Sequence, residues 1–364
     1  MRRRRETKRS KTVEIDSAIT LIGGFPMNKK YDYITFICRV EPPHKAHVAI
    51  TTKALDLAEK VIIMIGSAYQ PRTIKNPWTW REREEMIRAC FPAEVQDRLA
   101  FFGVRDAVSN QEWAQDVQGY VSSVVTEEED ATVGLIGHKK DGTSFYLDMF
   151  PQWDFIEIDN IDDIHSTDIR IEMFENEHIS DETIPKGILD YLNAFMLSES
   201  FGALKHEYDV WKANKAAWSP APYEPIFVTV DTVVVQSGHV LLVRRRSAPG
   251  KGLWALPGGF LNPGELIVDG AIRELREETK LKVPAPVLKG SIVDQQVFDD
   301  PGRSLRGRTI THAFYIELPP GGLHKVKGSD DADKAKWIPL GVFEKMRDQM
   351  FEDHPLIIDY FKGK

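Results

Sequence analysis

Three prolines within Ser219-Pro-Ala-Pro-Tyr-Glu-Pro225 cut the chain into two stretches. Proline fixes φ and lacks the N–H that helices and sheets both need. Before the cluster, residues 31–40 (YDYITFICRV) predict a buried strand, and 45–60 a helix with apolar Val48, Ile50, Leu55 and Leu57. Val61–Ile65 predicts a second strand, stopped by Gly66-Ser67, and a charged helix follows from Trp80 to Ala89. Apolar runs at 99–104 and 132–136 and a helical stretch at 183–217 complete this half. Strands alternating with helices imply an α/β domain with a parallel sheet. After the cluster, Phe227–Val235 and His239–Arg244 flank Gln236-Ser237-Gly238, a hairpin signal. A Gly/Pro loop (248–264), one helix (266–280) and strands at 289–298 and 309–317 follow, which implies an α+β domain with a mixed sheet. The expected organisation is a tail at 1–29, domains at 30–198 and 225–364, and a helical, proline-containing linker at 199–224.

Hydrophobic residues at 42% of 364 supply two cores. No apolar run approaches the ~18 residues of a membrane span, and no secretory core follows the N-terminal basic cluster. Two cysteines, Cys38 and Cys90, cannot build a disulfide framework; a reducing compartment, the cytoplasm, is expected. Residues 1–12 carry seven Lys and Arg against Glu6, a balance of +6, so the remainder carries −14 of the net −8. An acidic body is not a nucleic-acid-binding one, and the basic arm reads as a disordered tail. Neither a nucleic-acid nor a membrane partner is expected; a homo-oligomer is allowed.

Two segments carry candidate chemistry in the first half. Arg39-Val-Glu-Pro-Pro-His44-Lys-Ala-His47 lies between the first strand and its helix. That is where open α/β sheets bind ligands and where a helix N-terminus offers N–H groups to phosphate. His44 and His47, three apart, can face one spot, with Arg39 as a fixed charge. Much later, His165-Ser166-Thr167-Asp168-Ile-Arg170 reads as a capped helix start that can also bind phosphate oxygens.

In the second half, Glu274, Glu277 and Glu278 occupy i, i+3 and i+4 of a helix, so their carboxylates share one face. Their repulsion is relieved by a cation, and an all-oxygen set selects Mg²⁺ or Mn²⁺. Glu265 and Arg273 are placed to orient the cluster.

Together the first two segments resemble the nucleotidyltransferase pattern, an H-x-G-H element and a late S-T-x-x-R element, which implies a Rossmann-like domain. The stretches Gly66–Glu85, containing Arg72 and Lys75, and Gly137-His-Lys-Lys-Asp-Gly-Thr-Ser-Phe-Tyr, with Phe150-Pro-Gln-Trp153, look like nicotinamide mononucleotide (NMN) adenylyltransferases. The resemblance covers about residues 30–195. It implies that Arg39, His44, His47 and Arg170 hold the ATP phosphates, that Ser166, Thr167 and Arg72 join the nucleotide site, and that Trp113 stacks on nicotinamide. Gly259, Glu265 and Arg273-Glu-Leu-x-Glu-Glu278 resemble the Nudix box, whose enzymes hydrolyse nucleoside diphosphates linked to another group. Arg306-Gly-Arg308 and Ser329–Trp337 look like the ADP-ribose pyrophosphatase group, and Arg244-Arg-Arg246 is a further candidate for phosphate. The implied substrates are ATP, NMN and ADP-ribose, with Mg²⁺ or Mn²⁺.

The sequence departs from these patterns at four positions. Ala46 and Cys38 replace glycines, and Glu41 puts a carboxylate near the phosphates, where it would either weaken ATP binding or hold magnesium. Lys280 stands where the box has a glycine in left-handed conformation, at a cost of about 1 kcal/mol. Two alternatives stay open: another phosphorylated acceptor, such as phosphopantetheine, and a Nudix half that only binds an effector. The preference for NMN over its deamidated analogue also stays open.

Overall fold

The computed structural model describes residues 29–125, 130–139, 142–159, 161 and 163–362. The expected tail, apart from Lys29, and part of the 137–146 motif lie outside them. In the first half, β1 (Tyr31–Cys38), β2 (Ala58–Ile65), β3 (Leu99–Gly103), β4 (Val133–Gly137) and β5 (Asp154–Glu157) form a parallel sheet of order β3-β2-β1-β4-β5. Neighbouring residues of its buried strands enter opposite cores. Ile63 packs with Ile34 and Ile136 on one face, while Ile62 and Met64 pack with Tyr33 and Leu135 on the other. This two-sided burial is why the strands read as continuous apolar runs. The chain reverses direction across the sheet between β1 and β4, and the crevice beyond their carboxyl ends is a ligand position.

The longer helices are α1 (Lys45–Leu57), α2 (Trp80–Arg88), α3 (Asn110–Val125), α4 (Ser166–Asn176), α5 (Lys186–Met196) and α6 (Glu199–Trp218). The expected 45–60 helix ends three residues early, because Ala58 turns extended and pairs with Tyr31 in the β1–β2 ladder. The 183–217 helical stretch is two helices, and Ser198 caps the second by accepting from the Phe201 N–H at 3.1 Å. The expected linker is therefore mostly a helix. Phe201, Leu204 and Tyr208 of α6 are buried in the first core, where Phe174 stacks on both Phe201 and Tyr208.

The second half holds a mixed sheet built on β6 (Ile226–Gln236), β7 (His239–Arg245), β10 (Ile292–Phe298), β11 (Arg308–Glu317) and β12 (Ala332–Pro339). Their order is β10-β11-β6-β7-β12, with the short β8 (Trp254–Ala255) and β9 (Gly258–Phe260) attached to β7 and β6. The β6–β11 pair is parallel and the other pairs are antiparallel. The β6–β7 turn has Ser237 at φ 47° and Gly238 at φ 73°, the two positive values of a tight hairpin. Helix α7 (Ile267–Thr279) covers one face through Ala271, Ile272 and Leu275, and α8 (His354–Lys362) covers the other through Ile357, Ile358 and Phe361. No described helix is long and apolar enough to cross a membrane.

One buried arginine ties the strand ends of the first half together. Arg83 of α2 donates from Nη1 to the carbonyls of Arg39 (2.7 Å) and Gly66 (2.9 Å), and from Nη2 to that of Ser67 (3.3 Å). Its Nη1 also lies 2.9 Å from Glu41 Oε2, both side chains being almost fully buried. Burial opposes both charges, lowering the guanidinium's pKa and pushing the Glu41 carboxyl up to about 7, and each partner offsets this for the other. Removing one member of such a pair strands the other. Arg83→Met should therefore cost about 3–5 kcal/mol in urea unfolding, and adding Glu41→Gln should recover part of the loss. A cost below about 1 kcal/mol would contradict the assignment.

Candidate active sites

The first site forms where β1 runs into α1. Val40 is held at φ 49° although it is β-branched and buried, a strained conformation that surrounding packing must enforce. His44 is the N-cap of α1, and its backbone N–H donates to His47 Nδ1 at 3.3 Å. The two rings lie 3.8 Å apart between centroids. Because His47 Nδ1 accepts, the neutral ring carries its proton on Nε2. Burial lowers both imidazoles, His44 to about 4 and His47 well below the usual range. Near neutral pH they are uncharged donors, and the fixed positive charge comes from the arginines. Arg39 is exposed at the end of β1.

The sequence-distant segment meets this loop directly. Ser166 Oγ donates to the Pro42 carbonyl at 3.0 Å, and Arg170 donates to the Glu41 carbonyl and, at 3.1 Å, to Thr167 Oγ1. His44, His47, Ser166, Thr167 and Arg170 thus share one neighbourhood beyond the strand ends. Lys75, quoted from sequence only as part of a motif, joins it. Burial lowers its ammonium pKa, and Arg39 and Arg170 repel it while Asp106 and Asp300 attract it.

Two expectations change, those for Glu41 and Arg72. Glu41 turns away from the phosphates, pairing with Arg83 and accepting from the Trp78 N–H at 3.0 Å, so its carboxylate supports the loop instead. Arg72 donates to the Pro77 carbonyl and to Glu82, each at 2.7 Å, which makes it a clamp on the segment before α2. Trp113 is half-buried, packed edge-on to Tyr146 at 5.8 Å and tilted against Phe150 at 6.0 Å. Tyr146 in turn feels the charge of Arg39.

The second site is a cavity of about 700 Å³ lined by Glu274, Glu277 and Glu278 of α7 and, among others, by Arg245, Arg303 and Arg306. Arg273 organises the acids. It holds Glu265 by two bonds (2.7 and 3.0 Å), and its Nη1 donates to Glu274 Oε1 (2.8 Å) and Glu277 Oε2 (2.9 Å). Those bonds pull the Glu265 carboxyl down to about 2. Glu278 Oε2 accepts from the Gly258 N–H at 3.1 Å, and burial pushes its carboxyl up to about 8. Glycine is required beneath the acids, since a Cβ at Gly259 would sit 2.6 Å from Glu274 Oε1. Lys280 closes α7 at φ 51°, adopting the left-handed conformation expected of the glycine it replaces.

The carboxylates do not converge as closely as helical spacing alone implies. Among the described residues no three acidic, imidazole or thiol side chains form a metal-holding group, because Arg273 sits between Glu274 and Glu277 and Glu278 turns to Gly258. The donor set nevertheless fits a hard cation. Among the described residues Glu274 Oε2, Glu277 Oε1 and Glu278 Oε1 take part in no hydrogen bond, and three such oxygens on one cavity wall suit a divalent ion.

Of the arginine run, Arg245 and Arg246 line the cavity, whereas Arg244 pairs with Asp333 at 2.5 Å. Arg306 also lines it, while Arg308 is turned to the Asp299 carbonyl. Sequence reasoning missed His354, buried on α8. It accepts from the Leu256 N–H at 2.8 Å through Nδ1, and its Nε2 faces Asp231 at 3.9 Å. No spacing rule links residues 231, 256 and 354.

Comparison with known proteins agrees with both halves. Residues 36–172 match the cytidylyltransferase-like family and residues 225–361 the NUDIX domain family. The chain is 37% identical over 179 residues to a nicotinamide/nicotinic acid mononucleotide adenylyltransferase of Acinetobacter baylyi, covering 49% of this chain and 94% of that protein. It is 34% identical over 137 residues to an ADP-ribose pyrophosphatase of Methanocaldococcus jannaschii, covering 38% and 74%. A crystal structure of a bifunctional NMN adenylyltransferase/ADP ribose pyrophosphatase from Francisella tularensis, complexed with AMP and a manganese ion, superposes with a TM-score of 0.85. It is 34% identical, and the match covers 92% of this chain and 99% of that one.

The buried histidines give the first site a pH signature. Between about 4 for folded His44 and ~6.5 for an unfolded imidazole, the native state binds fewer protons than the unfolded state. Its stability therefore falls as pH is lowered through that window, by about 2 kcal/mol between pH 6.5 and 4.5 for this histidine. Urea unfolding at the two pH values should show a smaller loss in His44→Asn than in the wild type. Equal losses would contradict the assignment.

Proposed function

This chain belongs to the family of bifunctional NMN adenylyltransferase/ADP-ribose pyrophosphatases, and on that premise we propose that it joins ATP and NMN into NAD at its first site and hydrolyses ADP-ribose at its second. The observation that carries this reading is the meeting of the 39–47 and 166–170 segments in one half and the carboxylate-lined cavity in the other. The two chemistries are assigned to residues 30–198 and 225–364. The substrates are small nucleotides, the expected compartment is the cytoplasm, and a nucleic-acid partner does not fit the acidic body.

In the first reaction a phosphate oxygen of NMN attacks the α-phosphorus of ATP, the bond from that phosphorus to the bridging oxygen breaks, and pyrophosphate leaves. No protein nucleophile is needed. The chain must align two anions and stabilise charge on the leaving group. The N-terminus of α1, the Nε2–H of His47, and the cations Arg39 and Arg170 suit that task, with His44 fixing the ring beside it. Ser166 and Thr167 orient the loop and Arg170, and Trp113 offers an aromatic face for nicotinamide. Arg72 supports the site at one remove.

In the second reaction a water oxygen bonds to one phosphorus of ADP-ribose and the diphosphate bond breaks, giving AMP and ribose 5-phosphate. Glu274, Glu277 and Glu278 would hold Mg²⁺ or Mn²⁺, which when bound supplies electrophilic activation of the diphosphate. Arg273 keeps two of these acids in place, and Arg245 and Arg306 bring positive charge to the phosphates.

Two variants separate the reactions. His47→Ala should lower kcat/KM for NAD formation by at least about 10²-fold while hydrolysis stays near wild type. Glu277→Gln should cut hydrolysis by several orders of magnitude while NAD formation stays within about threefold. Parallel assays on the same preparations, at saturating Mg²⁺, read both. Equal loss of both activities in either variant would overturn the two-site assignment.

A further inference from the structure

The two halves touch beside the first site. Lys75 stands on the loop between β2 and α2, in a turn closed by its neighbours. There the Asn76 N–H donates to Thr73 Oγ1 at 3.0 Å and the Thr73 N–H to the Asn76 carbonyl at 3.1 Å. The Lys75 ammonium reaches across to the loop between β10 and β11 and donates to the Gly302 carbonyl at 3.5 Å. That loop is fixed from its own side. Asp300 Oδ1 accepts from the Gly302 N–H at 2.7 Å, and the Arg303 N–H donates to the Asp300 carbonyl at 3.1 Å. The buried Arg303 side chain grips Asp353 by two bonds of 2.8 and 2.9 Å. A Cβ added at Gly302 would lie 3.2 Å from Asp300 Oδ1 and 3.6 Å from Lys75 Nζ, so carboxylate, turn and ammonium share one small volume.

Lysine carries its charge on a flexible four-carbon stem, so holding that charge in one place needs partners. Lys75 is half-buried, and the guanidinium groups of Arg39 and Arg170 repel it. Without support its ammonium would swing into water, and a bound phosphate would have to immobilise it again. Two carboxylates oppose the repulsion, Asp106 just beyond β3 and Asp300 in the other half. Asp106 is engaged by Ser67 Oγ at 3.2 Å, whereas Asp300 shapes the turn whose carbonyl Lys75 reaches. On the reading of this site as one for ATP, we propose that the Asp300–Gly302 turn of the second domain positions Lys75 as a further phosphate-binding cation of the first site. The adenylyl-transfer site is then finished by a segment outside the adenylyltransferase domain. Asp300 also repels ATP directly, but it is exposed, and water and salt screen a distant exposed charge more than a contact. Its loss should therefore weaken ATP binding.

The test uses the full chain and the variants Lys75→Met, Asp300→Ala and Asp300→Asn. Lys75→Met should raise KM for ATP about tenfold, as loss of a charged hydrogen bond does. Asp300→Ala should raise it at least about threefold, with KM for NMN within about twofold. Hydrolysis of ADP-ribose should be unchanged in each variant, which also shows that the variants fold. Asp300→Asn keeps an acceptor for the Gly302 N–H and should restore part of the loss. In the Lys75→Met background, Asp300→Ala should add nothing, as a residue acting only through Lys75 requires. An unaltered or lowered KM for ATP in Asp300→Ala would overturn the proposal, as would the same rise with Lys75 absent or a parallel fall in hydrolysis. Calorimetric titration with ATP and Mg²⁺ separates binding from reaction. A wild type whose ATP affinity depends on both residues but which forms no NAD would sink the NMN reading and leave the positioning role standing.

Discussion

In each half a single guanidinium gathers groups that would otherwise repel or go unpaired, and the functional loops depend on it. Arg83 collects three strand-end carbonyls and the buried Glu41 carboxylate, which fixes the turn carrying Arg39, Val40 and His44. Arg273 collects Glu265, Glu274 and Glu277 around one helix face. Arginine suits both places because its planar fork presents several donors at fixed angles and stays charged. The consequences differ. Around Arg83 the acid is sealed from ligands, whereas around Arg273 one oxygen of Glu274 and one of Glu277 take part in no hydrogen bond among the described residues on the cavity wall.

Helix α6 links the halves more closely than a spacer would. Its first turns are buried among Phe174 and Phe195, and its last turn reaches the second cavity. Further contact runs through the loop before β11, where Lys75 Nζ lies 3.5 Å from the Gly302 carbonyl. The two halves therefore sit on one continuous scaffold.

Much of this was legible in the residues themselves. Continuous apolar runs such as Val61–Ile65 announce strands buried on both faces, and Gln236-Ser237-Gly238 announces a hairpin. The 44/47 pair and the 166–170 segment were readable because local spacing fixes which side chains share a helix end. Other features stayed hidden for physical reasons. β5 is four residues, two of them exposed and two half-buried, and β12 is a polar edge strand, so neither shows strong alternation. Glu41 looked like a phosphate-site carboxylate because nothing local signals that Arg83, 42 positions later, folds under it. Helical spacing likewise placed Glu274, Glu277 and Glu278 on one face without revealing that Arg273 divides them. Trp218 lay in a presumed linker, and its place on the cavity wall follows only from where α6 ends.

The central claim is that one chain runs two separate phosphorus chemistries side by side. Phosphorus NMR of the wild-type protein, incubated with ATP, NMN, ADP-ribose and Mg²⁺ together, observes it most directly. The account predicts that NAD and pyrophosphate appear alongside AMP and ribose 5-phosphate, each pair at the rate found when its own substrates are supplied alone. Appearance of only one pair, or strong mutual competition between the substrates, would contradict it.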